Sequence, residues 1–474
     1  MISLVLSLLV LVIGYLIWSR LAERVFSPDD RPTPAVTVND GVDCIPLKPP
    51  RAFLIQLLNI AGTGPIFGAL MGAVFGPRVF LWIVFGSILG GGVHDYFTGM
   101  VSCRNGGASI AELAGKYLCK AAKYVMRAFS VILLVLVGTV FVTSPASLLD
   151  ALTGNALSHG FWVAVILVYY LLATLLPIDK LIGKLYPVFG IVLIMMAVGI
   201  TVGIIAGGYT VPEIWSGAGR PDGLPTWPFM FITVACGAIS GFHATQSPMV
   251  AKCITSEKHG RHIFYGAMIS EAVIALVWAA AGVAFYGSTE VLNSMLTESG
   301  QSAVVYDISV GLLGVFGGIL ALVGVVACPI TSGDTAFRAA RLVLAECFHL
   351  PQDKIKNRLL LTLPLLAAGC ILTNIDFNAI WRYFSWSNQT LAMIALWTAT
   401  AYLCHEKKYL GSLICAVPAT FMVAVSITYI LMAEEGLKLS AAIAYPAGAL
   451  TALAAAAAYV ILMFRAKKKA TALS

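Results

Sequence analysis

The sequence predicts an all-helical, polytopic membrane protein of about thirteen transmembrane helices. Its core is a 5+5 inverted repeat in which helices 2 and 7 are broken. Three observations predict this fold class. Hydrophobic residues make up 59% of the chain and charged residues only 11%, against about 25% charged in a soluble protein. Apolar runs long enough to cross a ~30 Å hydrocarbon core recur from end to end. Two glycine-rich stretches, Asn59–Pro65 and Ala235–His243, interrupt such runs. In lipid every backbone N–H and C=O needs an internal partner, so broken helices are tolerated only inside protein or beside a wet cavity.

In order, the spans are expected at 2–18, 52–75, 79–103, 125–149, 160–177, 185–206, 227–250, 264–286, 308–330, 358–373, 381–403, 411–432 and 441–464. The first resembles a secretory leader in length. It has no Lys or Arg ahead of its apolar run and no small-residue cleavage site, so it reads as a retained helix. Lys and Arg set the orientation. Only Arg78, Arg220, Arg382 and Lys438, of the 30 Lys and Arg residues, fall on one side of this span pattern. The rest, Arg338 and Arg341 among them, fall on the other, which is therefore cytoplasmic. The N-terminus is expected outside and the C-terminus inside.

The first break lies in span 2 and the second in span 7. Spans 2–6 and 7–11 are then two blocks of five. Five is odd, so the second block enters the membrane from the opposite side, which is an inverted repeat. The chain divides into an N-terminal helix and cytoplasmic loop (1–51), a first repeat (52–206), a second repeat (207–403) and two accessory helices (404–474). The alternative for the breaks is that small residues only let helices pack closely.

The net charge of +7 is no nucleic-acid signal, because the positive residues sit in short loops without interleaved aromatics. None of the ten cysteines falls in an expected external loop, so free thiols are expected. No C-x-x-C pair occurs, and the spacings give no zinc site.

Longer stretches carry a resemblance. Arg31-Pro32-Thr33-Pro34-Ala35-Val36-Thr37-Val38-Asn39-Asp40-Gly41-Val42-Asp43 resembles the signature loop of the carbon starvation protein family of bacterial membrane transporters. The resemblance continues through Ile60–Pro65, Leu89-Gly90-Gly91-Gly92-Val93-His94-Asp95 and Phe231–Ala244, and ends at Phe384, Asn388 and Gln389. The chain departs in being shorter than well-known members, and in carrying His94 where a glutamine is expected. The resemblance implies peptide or pyruvate uptake at the inner membrane under carbon limitation. It also implies kinship with the amino-acid/polyamine/organocation superfamily and a LeuT-like 5+5 core.

The candidate substrate-binding residues follow. At the first break they are Asn59, Ala61, Gly62, Thr63, Gly64 and Pro65, where a half-helix N-terminus carries a positive dipole end that attracts a carboxylate. Gly62 and Gly64 are no dinucleotide fingerprint, since Phe67 stands where the third glycine would be. At the second break they are Ser240, Gly241, Phe242, His243, Thr245 and Gln246. Asn388 and Gln389 join them from span 11. Ionisable groups inside a bilayer are costly and usually functional. Asp95, Glu271 and His243 are therefore candidates for proton coupling, mutual pairing being the plainer alternative. In the related superfamily a sodium site often lies between the first broken helix and the eighth core helix. Here that points to Ala61, Gly64, Thr331 and Ser332. Back-bonding of the two hydroxyls to their own helix beside Pro329 is the alternative.

Other classes fit less well. His405-Glu406-Lys407-Lys408-Tyr409 lacks the second histidine of a zinc hydrolase motif, so an enzyme is not expected. No segment reads as a channel filter. A membrane nutrient sensor would normally carry an output domain, and no loop is long enough for one. No nucleotide-binding motif is present, so the energy source is expected to be an H⁺ or Na⁺ gradient, with no organic cofactor. The expected partners are a small-molecule substrate and the lipid bilayer, with no nucleic acid. Oligomeric state is left open.

Overall fold

The computed structural model describes residues 1–39, 44–154, 156–175, 178–217, 219–352 and 354–471. Asp40–Asp43, the end of the signature loop, lie outside the described residues. The described chain is helical throughout, and its one strand-like contact is a parallel bridge between Leu47 and Ile254.

Among the described residues, nine helices are long and apolar enough to cross a membrane, ten if one bent pair counts as a single span. Thirteen were expected, and the shortfall has physical reasons. His159–Leu175 has only 17 residues. Span 2 is split into Pro49–Ile60 and Gly64–Ala73, bent by 50°. Span 7 is split into the short helices Thr226–Thr233 and Gly241–Ala251. Phe377–His405 is long, at 29 residues, but carries Asn378, Arg382, Ser385, Ser387, Asn388 and Gln389 in sequence.

The expected span at 308–330 needs correction. Helix Gly300–Leu322 is interrupted at Gly314, whose φ of 60° suits glycine. Beyond it the chain runs through a π-helical turn, Val323–Ala327, into Cys328–Phe348. Arg338 and Arg341, expected in a cytoplasmic loop, lie on this last helix and are buried at 3% and 5% exposure. The hydropathy pattern missed this because a buried guanidinium reads as a loop residue. Arg338 donates to the Ala173 carbonyl at 2.9 Å and faces Asp334 at 3.5 Å.

The two half-helices of each break lie inside the bundle. Gly64–Ala73 packs on helix Gly266–Tyr286, and Gly241–Ala251 packs on Gly92–Arg104, Pro49–Ile60 and Phe377–His405. Helices Ile2–Phe26 and Ala441–Thr471 sit at the periphery. Their apolar side chains, such as Leu9, Ile13, Ile17, Leu453 and Leu462, point outward, as lipid-facing residues must where no water needs to be avoided. The loop after the first helix is pinned to the segment following Gly241–Ala251. Thr33 Oγ1 donates to the Ile254 carbonyl at 2.6 Å, and Leu47 N–H to that of Cys253 at 3.0 Å. In the same loop the Arg31 guanidinium holds the Asp29 carboxyl well below the usual carboxylate range.

Candidate substrate and coupling site

The two breaks meet. A Cβ placed on Gly64 would come 2.6 Å from Cys236 Sγ, and one on Gly68 would come 3.3 Å from the Thr233 carbonyl oxygen. Gly64 therefore leaves room for the Cys236 side chain that a Cβ would take, and Gly68 lets the Thr233 carbonyl lie close with little room to spare. Gly237 has φ near 90°, and a Cβ there would press on Ala275. Gly62 lies beneath the Phe141 ring, and Phe141 in turn packs edge-on against Phe242 at 6.2 Å between centroids.

Asn388 closes the second break. Its Oδ1 accepts from the Phe242 N–H at 2.6 Å, capping the half-helix Gly241–Ala251, and its Nδ2 donates to Ser240 Oγ at 3.1 Å. One long helix thus supplies the partner that the broken one lacks. Gly241 packs against this helix so closely that a Cβ would meet the Asn388 carbonyl at 2.3 Å. Gln389 Nε2 donates to the Phe231 carbonyl at 3.1 Å. Thr245 Oγ1 donates back to Phe242, and Gln246 Nε2 donates to Thr245. Asn59 Oδ1, Thr63 Oγ1, Gln246 Oε1 and Gln389 Oε1 are buried without a hydrogen-bond partner. Buried polar atoms are rarely left so; Asn59 and Thr63 flank the first break, and Gln246 lies on the half-helix that follows the second. Ala61 and Pro65 are buried and offer only backbone or apolar contact.

Beside the breaks lies a chain of four ionisable side chains. His94 Nδ1 is 2.7 Å from Asp95 Oδ1, and His243 Nδ1 is 2.9 Å from Asp95 Oδ2. His243 Nε2 is 3.3 Å from Glu271 Oε2. All four side chains are fully buried. Two carboxylates and two imidazoles carry two negative charges with both rings neutral, and none once two protons are bound. A buried net charge is costly, so proton number and the charge of anything entering this region are linked. Cys236 Sγ, His243 and Glu271 offer ligand atoms within 4.8 Å of one another, a set able to hold a metal ion. Local spacing could not reveal it, because the three come from a break and two separate helices. A π-helical turn, Ser87–Gly91, precedes the helix bearing Asp95, and another, Arg261–Tyr265, the helix bearing Glu271. Such turns re-aim side chains and are frequent at functional sites.

Thr331 and Ser332 do not join this cluster. Both hydroxyls donate to the Cys328 carbonyl of their own helix, at 2.7 and 3.1 Å. Ser332 Oγ also reaches the Leu58 carbonyl at 3.1 Å, just ahead of the first break.

The comparisons bear on the family and the fold. A 341-residue stretch is 43% identical to an uncharacterized membrane protein of Haemophilus influenzae, covering 61% of this chain and 92% of that one. The peptide transporter CstA of Bacillus subtilis is 25% identical over a gapped alignment of 501 positions that covers 83% of each chain. The pyruvate/proton symporter BtsT of Escherichia coli is 27% identical over 57% of this chain and 47% of its own length. Among solved structures, the Eremococcus coleocola manganese transporter has a TM-score of 0.56 at 11% identity, covering 92% of this chain and 99% of that one. The inward-facing conformation of Mhp1 has a TM-score of 0.55 at 16% identity, covering 89% and 91%. These two likenesses show the fold alone. The family described as carbon starvation protein CstA matches residues 1–155, 147–312 and 296–429. The chain is a multi-pass membrane protein and belongs to the carbon starvation protein family.

Proposed function

We propose that this protein is a secondary active transporter of the bacterial inner membrane. It imports small carboxylate-bearing nutrients, pyruvate or short peptides, by ion-coupled alternating access. The observation that carries this reading is the meeting of the two helix breaks at Gly64 and Cys236, with unpartnered buried polar atoms on Asn59 and Thr63 beside the first break and on Gln246 in the half-helix after the second. Half-helix N-termini attract a carboxylate, the Thr63 hydroxyl can donate to it, and the unpartnered amide oxygens of Asn59, Gln246 and Gln389 accept from donor groups elsewhere on a ligand. The names of the relatives, a peptide transporter and a pyruvate/proton symporter, support the same substrate chemistry.

In this reading residues 52–206 and 207–403 are the two halves of the inverted repeat, the N-terminus is outside and the C-terminus cytoplasmic. Protons are the coupling ion. The chain His94–Asp95–His243–Glu271 takes up a proton with the substrate and releases it on the other side. A second reading, sodium coupling, draws on the contact of Ser332 with the Leu58 carbonyl, which joins the helix Cys328–Phe348 to the first broken helix. Hydroxyls and carbonyls suit a hard cation.

The test is uptake by purified protein in proteoliposomes, with labelled pyruvate, a dipeptide and a neutral amide of each. Saturable uptake of a carboxylate and not of its amide supports the reading. Equal handling of acid and amide removes the carboxylate from it.

A further inference from the structure

A cavity lies apart from the acid–histidine chain. It has a volume of about 240 Å³. Its lining includes Arg220, Arg382, Asn293, Asn378, Trp381 and Ser385. Met71 of Gly64–Ala73 and Thr233 of Thr226–Thr233 also line it, so one half-helix of each broken span borders the cavity. Trp381 ties the cavity to the first of these. Its ring packs on Phe67 at 6.2 Å, and a Cβ on Gly68 would meet it at 3.5 Å.

The wall carries donors that an anion can use, its two guanidiniums already facing the carboxylates of Asp222, Glu434 and Glu435. Arg220 and Arg382 bring two guanidinium groups to it. Arg220 bonds Asp222 through Nε at 2.7 Å and lies over the Phe75 ring at 4.7 Å. Arg382 bonds Glu435 through Nε at 3.3 Å, and its Nη2 is 3.8 Å from Glu434. Glu435 is itself held by the Tyr429 hydroxyl. A guanidinium has five N–H donors in a planar fork, so these pairs orient both arginines and leave donors for a further carboxylate. Trp381 Nε1 and Ser385 Oγ are buried and have no hydrogen-bond partner. Both are donors, and both lie within one turn of Arg382 on the same helix.

We propose that this cavity is an outer binding site for a small monocarboxylate, in which Arg382 and Arg220 hold the carboxylate while Trp381 and Ser385 supply further donors, before the ligand passes to the breaks. The proposal rests on the transporter reading and names a docking step that reading does not contain. Size favours a ligand of few heavy atoms, because sites for drug-sized molecules run to about 300–1,000 Å³.

The experiment is a titration of the purified full-length protein in detergent with propionate and with propionamide, its neutral analogue, followed by tryptophan fluorescence. Propionate should give a saturable change that propionamide does not give. Arg382→Gln should weaken propionate at least tenfold, Arg382→Lys should recover part of the loss, and Ser385→Ala should weaken it a few-fold. Each variant is used only if its melting temperature matches the parent. The proposal is overturned if propionamide matches propionate, or if Arg382→Gln and Arg220→Gln both bind propionate as the parent does. Uptake separates this proposal from the transporter reading. Binding without uptake of any carboxylate leaves the site standing and sinks the transporter. Uptake with an unchanged KM in Arg382→Gln sinks the site and leaves the transporter.

Discussion

His243 Nδ1 stands 2.9 Å from Asp95 Oδ2, with both side chains fully buried and the two residues 148 positions apart in sequence. Asp95 also receives His94, and His243 also faces Glu271 at 3.3 Å. Asp95 is therefore the one carboxylate that contacts both imidazoles. Replacing it by Ala leaves two buried rings without their acceptor, and losing one partner of a buried pair costs about 3–5 kcal/mol. Asp95→Asn keeps the shape and removes the charge. The expected outcome is a folded Asp95→Asn protein, judged by its melting curve, whose gradient-driven uptake is lost. Uptake at the parent rate would exclude Asp95 from coupling.

Gly64 and Cys236 make a second pair that predicts its own rescue. A Cβ on Gly64 would sit 2.6 Å from both Cβ and Sγ of Cys236, closer than side chains approach in a packed core. Gly64→Ala should lower uptake strongly, and Gly64→Leu should abolish it while the protein still inserts in the membrane. Adding Cys236→Gly to Gly64→Ala should restore part of the activity. Overpacking typically costs about 1–3 kcal/mol, and a partner that makes room should return much of it. Equal loss in single and double variants would place the defect elsewhere.

Much of this was legible in the sequence. Glycines and polar residues inside apolar runs marked Asn59–Pro65 and Ser240–Gln246, because lipid tolerates neither without a reason. Asp95, Glu271 and His243 were visible as costly charges, and Asn388 through the family resemblance. That Asp95 and His243 touch was not legible, since nothing local records which helices pack together. Cys236 was missed as a neighbour of His243 and Glu271 for the same reason. The buried positions of Arg338 and Arg341 were misread, because charge in a sequence reads as a loop until a carboxylate or carbonyl partner is seen.

Arg104 and Glu257 form a closed contact at the end of helix Gly92–Arg104. Nε and Nη2 of the arginine reach both carboxylate oxygens, at 2.9 and 2.8 Å, with side-chain exposures of 7% and 0%. Nη1 bonds the Tyr402 hydroxyl at 3.1 Å, and the guanidinium lies 4.0 Å from the centroid of the Phe26 ring. Glu257→Gln leaves this buried cation only the more distant Asp29 carboxylate, at 3.9 Å, and should destabilise by up to about 3–5 kcal/mol. The double variant Arg104→Gln/Glu257→Gln should be less destabilised than the sum of the singles. Thermal unfolding of the four proteins in detergent gives the coupling, and additive losses would refute it.

Thr331 and Ser332 test the coupling ion. If sodium uses these hydroxyls, Thr331→Ala/Ser332→Ala removes two oxygen donors and shifts sodium-stimulated uptake to higher sodium. If protons alone drive uptake, the double variant changes only packing. It then loses hydroxyl bonds to Cys328 and Leu58, each worth about 0.5–1.5 kcal/mol. Uptake measured across a sodium series at fixed pH separates the two outcomes.

The most direct test of the account is accumulation of labelled pyruvate or a dipeptide by proteoliposomes under an imposed pH gradient. The account predicts uptake above the equilibrium level, collapse when a protonophore is added, and absence of accumulation in His243→Gln. Uptake that never exceeds equilibrium under a pH or a sodium gradient, or that persists unchanged in His243→Gln, would contradict it.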